Sequence, residues 1–294
     1  MAKKLNKKPW TSEQKHFIER GRAYTEQLED LVTKFLGKAN LKYNTKDSHF
    51  IAGPSGTGKS FIVRHTGEKH KVKLVEITGD TSMSNLAIKL ACLAYTSNDE
   101  EIYIWLDDCD SIWSDRISLS IMKGATDNDR RVFAWNKNLT SQIQIHENAG
   151  TEQSTLIANA LKKYQPMGNT GVIIPTDNMH FIVTTNHFLT ASNPPPKTIR
   201  GRDEAAVRSR FLYTEYKLNK GLSWGWIASI VIDNKILDLT INQKYILLDW
   251  MYNNWDNLKG TDMRNVLEIA EDMLNFPDTY PDKWIYHLID QNQN

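Results

Sequence analysis

The sequence is short of cysteine, of unbroken apolar runs and of charge of one sign, and each shortage removes a class of protein. Cys92 and Cys109 are the only cysteines in 294 residues. Two cannot staple a chain of this size, and both lie in apolar stretches, as expected of buried, reduced thiols. No Cys/His spacing suits zinc. No apolar run approaches the ~20 residues that span a bilayer. The charged N-terminus lacks the apolar core of a secretory signal. No membrane partner and a cytoplasmic location are therefore expected. Net charge is +1, so no global field points to nucleic acid, and any such contact has to be local.

What is present is an ordinary globular composition, 40% hydrophobic and 24% charged. It suits one large domain, or one domain with a small satellite. Residues 1–22 carry Lys3, Lys4, Lys7, Lys8, Lys15, Arg20 and Arg22 against Glu13 and Glu19. Such a cluster either tethers a phosphate backbone or keeps a tail soluble. Leu28, Leu31, Val32, Phe35 and Leu36 recur at helical spacing, which predicts a helix over 11–36 with Thr11 or Ser12 as its cap and Gly37 as its stop.

The pattern then changes. Short apolar strands are expected at 50–52, 74–77, 102–106, 179–185 and 211–218, with helices at 59–69, 83–95 and 112–125 between them. Apolar strands alternating with helices imply a parallel sheet covered on both faces. From about residue 221 the strands stop, and 222–232, 240–256, 262–275 and 281–290 read as helices. Asn234, Gly260, Pro277 and Pro281 punctuate them. The expected fold is α/β: a P-loop parallel sheet flanked by helices, followed by a small helical domain.

Two motifs carry chemistry. Gly53-Pro54-Ser55-Gly56-Thr57-Gly58-Lys59-Ser60 satisfies G-x-x-x-x-G-K-[S/T], and Phe61 follows it. A strand precedes it and a helix follows, as its mechanism demands. Glycines let backbone N–H groups wrap phosphates at a helix N-terminus. Lys59 is expected to reach the β- and γ-phosphates of a nucleotide, and the Ser60 hydroxyl to bind Mg²⁺. The second motif is Ile104-Trp105-Leu106-Asp107-Asp108. An apolar strand delivers two carboxylates at its C-terminal end, where ligands sit in open α/β sheets. Asp107 is the expected Mg²⁺ carboxylate, through water, and Asp108 the base that orients and deprotonates the attacking water. Asp110 reads as a helix N-terminal residue.

With these motifs the chain resembles the AAA+ ATPases over about residues 45–275. Phe181-Ile182-Val183-Thr184-Thr185-Asn186 looks like their sensor-1 strand, which implies that Asn186 holds the attacking water. Val207-Arg208-Ser209-Arg210-Phe211 looks like the segment bearing their arginine finger, with Arg210 the first choice and Arg208 the reserve. Asp262-Met263-Arg264-Asn265-Val266-Leu267 looks like the start of their sensor-2 helix, so that Arg264 touches the phosphates from a lid. The resemblance implies a homo-oligomer, a ring or partial ring, in which the arginine acts on the neighbour's nucleotide. Most of the family has Asp-Glu where this chain has Asp107-Asp108. Paired aspartates are common in the viral superfamily 3 helicases, which suggests a virus- or phage-type member; its location is then the host cytoplasm.

The implied organisation is an N-terminal basic arm and helix (1–44), an ATPase core (45–220) with an insertion at about 130–176, and a helical lid (221–294). The insertion reads as a helix at 151–164 plus a β-hairpin-like element. Such hairpins in the relatives face a pore and grip substrate. Lys137, Lys162 and Lys163 are candidate phosphate contacts and Trp135 a candidate base stacker; a core tryptophan and a solvated lysine face are the alternatives. The expected function is ATP-driven remodelling or translocation of nucleic acid, as a helicase or a helicase- or clamp-loader. The alternative is a protein-remodelling ATPase. Its usual aromatic pore loop is missing from Gly79-Asp80-Thr81-Ser82-Met83.

Overall fold

A computed structural model of the chain describes residues 10–37, 48–79, 81–98, 100–233, 238–277 and 282–288. Lys3, Lys4, Lys7 and Lys8 of the basic cluster, Asp80 and Asn234 lie outside these residues. In chain order the elements are α1 (Ser12–Leu36), β1 (His49–Ala52), α2 (Lys59–His70), β2 (Leu74–Thr78), α3 (Met83–Thr96), β3 (Ile102–Asp107), α4 (Asp110–Ser114), α5 (Arg116–Ala125), β4 (Val132–Trp135), α6 (Thr140–Ala149), α7 (Glu152–Tyr164), β5 (Val172–Pro175), β6 (Met179–Thr185), α8 (Ile199–Arg210), β7 (Leu212–Glu215), α9 (Lys220–Asp233), α10 (Ile241–Asn254) and α11 (Met263–Asn275). Two compact units form. The larger comprises Thr33–Gly53 and Thr66–Tyr216; the smaller comprises Met1–Val32, Pro54–His65 and Lys217–Asn294.

The larger unit is built on a five-stranded sheet in the order β2-β3-β6-β1-β7, and every pairing in it is parallel. The middle strands are apolar because both their faces are covered: each residue of β6 and of β1 is buried, as are the first five of β3. Phe50 of β1 gathers the aromatic core, with Trp113 at 4.9 Å, Phe211 at 5.6 Å and Tyr213 at 5.3 Å between ring centroids. α3 starts where Ser82 accepts a hydrogen bond from the Asn85 amide, and it buries Met83, Leu86, Ala87, Leu90 and Ala91 along one stripe. The single helix expected over 112–125 is two. Asp115 takes an extended backbone between them and caps the second by accepting from the Ser118 amide at 2.8 Å. A residue that favours capping over helix interior explains the break.

The insertion differs from expectation. β4 and β5 pair antiparallel, Val132 opposite Pro175 and Trp135 opposite Val172. They are not a hairpin, because α6 and α7 lie between them in the chain. Nor is the element an arm. Phe133, Trp135, Leu161, Val172 and Ile174 are buried in the same core as Ile104 and Phe181. α6 was not legible in advance, since Ile143 is the one buried residue in its polar run.

The smaller unit packs α9, α10 and α11 with α1. α9 is buried almost all round, from Trp224 through Val231, as befits a helix enclosed by its neighbours. α1 supplies part of that enclosure. A methyl group on Gly21 or Gly225 would overlap the facing backbone, and one on Gly221 would overlap the Phe17 ring. Trp10 lies 5.4 Å from Trp224 and 5.0 Å from Tyr245. Arg22 grips Asp233 through two bonds, at 2.7 and 2.8 Å. α10 begins with a capping box between Thr240 and Gln243. In place of the helix expected over 281–290 there is a 3-10 stretch, Asp282–His287, and residues 289–294 lie outside the described residues.

Candidate functional site

In a parallel sheet all strands end on one edge, and here that edge collects Gly53, Asp107, Asp108 and Asn186, whereas Arg208 and Arg210 precede the start of β7. β6 lies between β3 and β1. Its register sets Thr184 opposite Asp107 and Thr185 opposite Ala52. The strands therefore deliver Gly53, Asn186 and the Asp107–Asp108 pair side by side. Backbone bonds continue past the strand ends: the Gly53 amide donates to Thr185 O at 3.1 Å, and the Asp108 amide to Thr184 O at 2.9 Å.

The two carboxylates differ. Asp107 is half-buried, and its Oδ1 accepts from the Thr184 hydroxyl at 2.6 Å; that hydroxyl oxygen accepts from the Trp105 indole N–H at 2.8 Å. Asp108 is exposed and holds a left-handed backbone, φ 51°. Asp110 opens α4, as expected, and also takes a short hydrogen bond from the Thr185 hydroxyl. Between them Cys109 is buried, its thiol donating to Ile77 O at 3.3 Å. Burial, with Asp107 nearby, pushes that thiol up to about 12.

The segment after Asn186 is strapped to α8 and β7. Glu204 accepts from the Thr190 amide and hydroxyl and from Arg200. Burial opposes its charge, but those bonds win and its carboxyl is held below the usual glutamate range. Arg208 donates to Leu189 O at 2.7 Å, lies 3.4 Å from Glu215 and stacks 3.8 Å over the Tyr213 ring. Arg210 donates from Nε and Nη2 to Asp127 Oδ2, at 3.2 and 2.8 Å, and from Nη1 to Ala206 O. These bonds hold the Asp127 carboxyl below its ordinary range. Both candidate fingers thus have partners within their own chain. Sequence reading missed Asp127, Glu204 and Thr184; the one local signal was the polar pair Thr184–Thr185 closing an apolar strand.

The smaller unit holds the rest of the phosphate loop. Gly56 and Gly58 have φ of 70° and 82°, the backbone that turns successive N–H groups inward. Lys59, 5% exposed, donates to Pro54 O at 2.7 Å, and the Thr57 hydroxyl to the same oxygen at 3.0 Å. Ser55 is exposed and Ser60 half-buried. Phe61 is exposed and stacks on His65, 5.8 Å between centroids. The start of α11 meets this loop: the Met263 amide donates to Gly56 O at 3.3 Å, and a methyl on Gly56 would overlap the Asp262 side chain. Arg264 is exposed, two residues beyond that contact.

Among the described residues no group of three His, Cys, Asp or Glu could hold a metal ion. Mg²⁺ does not require one. It takes oxygen donors, commonly one or two carboxylates with substrate phosphates and water, and the Asp107 carboxylate and Ser60 hydroxyl are donors of that kind. No described helix is long and apolar enough to cross a membrane.

The expected polymer contacts are engaged internally. Trp135 is 6% exposed, too buried to stack on a base. Lys137 lies over its ring at 5.2 Å, Lys162 pairs with Glu147, and Lys163 lies over Tyr95 and Tyr164. Across 130–176, Arg130, Arg131, Lys137, Lys162 and Lys163 outnumber Glu147 and Glu152, while Asp127, Asp129 and Asp177 flank the insertion.

Compared with known families, residues 49–210 match the model described as "ATPase family associated with various cellular activities (AAA)". The match runs from the start of β1 to the end of α8. A search of the curated proteins found no match.

Proposed function

The chain belongs to the ATPase family associated with various cellular activities, whose model covers more than half of its 294 residues, and on that premise we propose that it hydrolyses Mg²⁺-ATP as an oligomer to remodel or translocate along nucleic acid. The observation that supports the chemistry is the shared sheet edge at which Gly53, Asp107, Asp108 and Asn186 emerge on adjacent strands. Backbone amides over Gly53–Ser60 cradle the phosphates and Lys59 neutralises the outer ones. Ser60 and, through water, Asp107 would hold Mg²⁺, which would supply positive charge against the phosphates. Asp108 accepts the proton of the attacking water, Asn186 orients that water, and Arg264 contacts the phosphates. Arg210 of a neighbouring copy, with Arg208 in reserve, stabilises the charge that develops in the transition state.

Lys59→Ala is expected to abolish ATP hydrolysis. Asp108→Asn is expected to bind ATP as the wild type does and to turn over ~10²–10⁴ times more slowly. Equilibrium ATP binding and phosphate release, measured on the same preparations, check both. Normal turnover by Asp108→Asn removes Asp108 from the role of base.

The paired aspartates and the N-terminal lysines support nucleic acid as the partner, and with it a virus- or phage-type member resembling superfamily 3 helicases or loaders. The buried Trp135 and the internally engaged Lys162 and Lys163 favour a second reading, a protein-remodelling ATPase. Steady-state turnover with and without single-stranded DNA separates the two: stimulation supports the first reading, and indifference moves the substrate to protein.

A further inference from the structure

The carboxylate assigned to Mg²⁺ is not placed by its own backbone alone. Thr184 is its cross-strand partner in the register of β3 and β6, and the Thr184 hydroxyl donates to Asp107 Oδ1 at 2.6 Å. A hydroxyl has one proton to give and can point it several ways. Here the direction is set from behind. The Trp105 indole is a donor only, and at 2.8 Å it occupies the acceptor side of that hydroxyl. Thr184 therefore has to send its proton onward, to Asp107. Trp105 is 1% exposed and Thr184 is fully buried, so water does not compete for either bond. Trp105 and Asp107 lie two residues apart on β3, so both side chains leave the same face of the strand.

We propose that Trp105 and Thr184 are positioning residues for Mg²⁺: a one-way hydrogen-bond relay that fixes Asp107 Oδ1 and thereby the orientation of the carboxylate plane toward the metal. The inference rests on the reading of Asp107 as the Mg²⁺ carboxylate. Neither Trp105 nor Thr184 touches substrate. Their effect is felt through Asp107, as outer partners of metal ligands act in general.

The test is a Mg²⁺ titration of equilibrium ATP binding by the full chain, with ATP binding in EDTA measured alongside and folding checked by thermal melts. Thr184→Val keeps shape and removes the hydroxyl. It is expected to raise the half-saturating Mg²⁺ concentration about 10- to 100-fold, the range typical of lost outer-shell partners, while Mg²⁺-free ATP binding stays unchanged. Thr184→Ser restores the hydroxyl and returns the titration to the wild-type position. Trp105→Phe leaves the hydroxyl free to turn away and produces a smaller shift in the same direction. If Thr184→Val does not fold, Trp105→Phe against Thr184→Ser gives the same comparison. Variants that titrate as wild type, or that lose Mg²⁺-free and Mg²⁺-dependent binding equally, overturn the relay alone. A wild-type chain whose ATP binding ignores Mg²⁺ overturns the reading of Asp107 beneath it.

Discussion

Asp108 stands at φ 51°, a backbone that disfavours a β-carbon by about 1–2 kcal/mol, with aspartate and asparagine among its better occupants. Position 108 can thus be separated into a carboxylate and a conformation. Asp108→Ala and Asp108→Gly both delete the carboxylate, and both are expected to lose at least ~10² in turnover. Only glycine adopts the left-handed backbone without strain. Asp108→Gly should therefore melt about 2–4 °C above Asp108→Ala, the shift that ~1 kcal/mol gives in a domain of this size. Calorimetry on the pair decides it; equal midpoints would mean the left-handed turn relaxes once the side chain is gone. Residues of this sort were legible in the sequence because their signals are local. Gly53–Ser60 is one contiguous motif, and Asp107–Asp108 closes one apolar strand. Their supports were not. Thr184 reaches Asp107 across 77 residues, Trp105 reaches Thr184 across 79, and Arg210 reaches Asp127 across 83. No spacing rule announces a hydrogen bond formed only when strands align.

Among the elements, α1 and α9 approach more closely than side chains usually allow. Gly21 faces the Gly225 backbone, Gly225 faces the Phe17 backbone, and Gly221 underlies the Phe17 ring. Gly225→Val puts three carbons where Phe17 O stands. Overpacking of this kind typically destabilises by 1–3 kcal/mol, occasionally more. The expected result is a lower melting temperature and early protease cleavage within 10–32, with Trp10 and Trp224 becoming solvent-exposed by fluorescence. A variant as protease-resistant as the wild type would show that the helices tolerate separation. The strands and most helices were readable because burial wrote their period into the sequence. α8 was not: half of Ile199–Arg210 is charged, and its buried residues include Gly201 and Glu204, so it has no apolar stripe to recognise. The antiparallel pair β4 and β5 was anticipated as strands but not as strands separated by two helices. A four-residue strand does not record what its partner is.

For the molecule as a whole, the proposed arrangement to test is the one between copies. Arg210 gives all three of its donor nitrogens to Asp127 and Ala206 within its own chain, so service to a neighbour's nucleotide exchanges one anionic partner for another. Arg210→Ala is expected to leave ATP affinity nearly intact and to lower turnover ~10³-fold or more. Wild-type turnover per subunit should rise steeply with protein concentration. Mixing Arg210→Ala with Lys59→Ala should recover activity, since the second subunit supplies the arginine and the first the loop. No recovery at any ratio would remove the trans arrangement. The buried Cys109 makes that association unusually easy to watch. With its thiol pushed up to about 12, only about one molecule in 10⁵ carries the reactive thiolate at neutral pH, and burial raises Cys92 as well. Cys109 is therefore nearly silent to maleimide dyes, and half-buried Cys92 is the native thiol to replace. With Cys92 replaced, a single cysteine introduced on an exposed surface can take a fluorophore alone, and energy transfer between labelled copies then counts neighbours with Cys109 left in place.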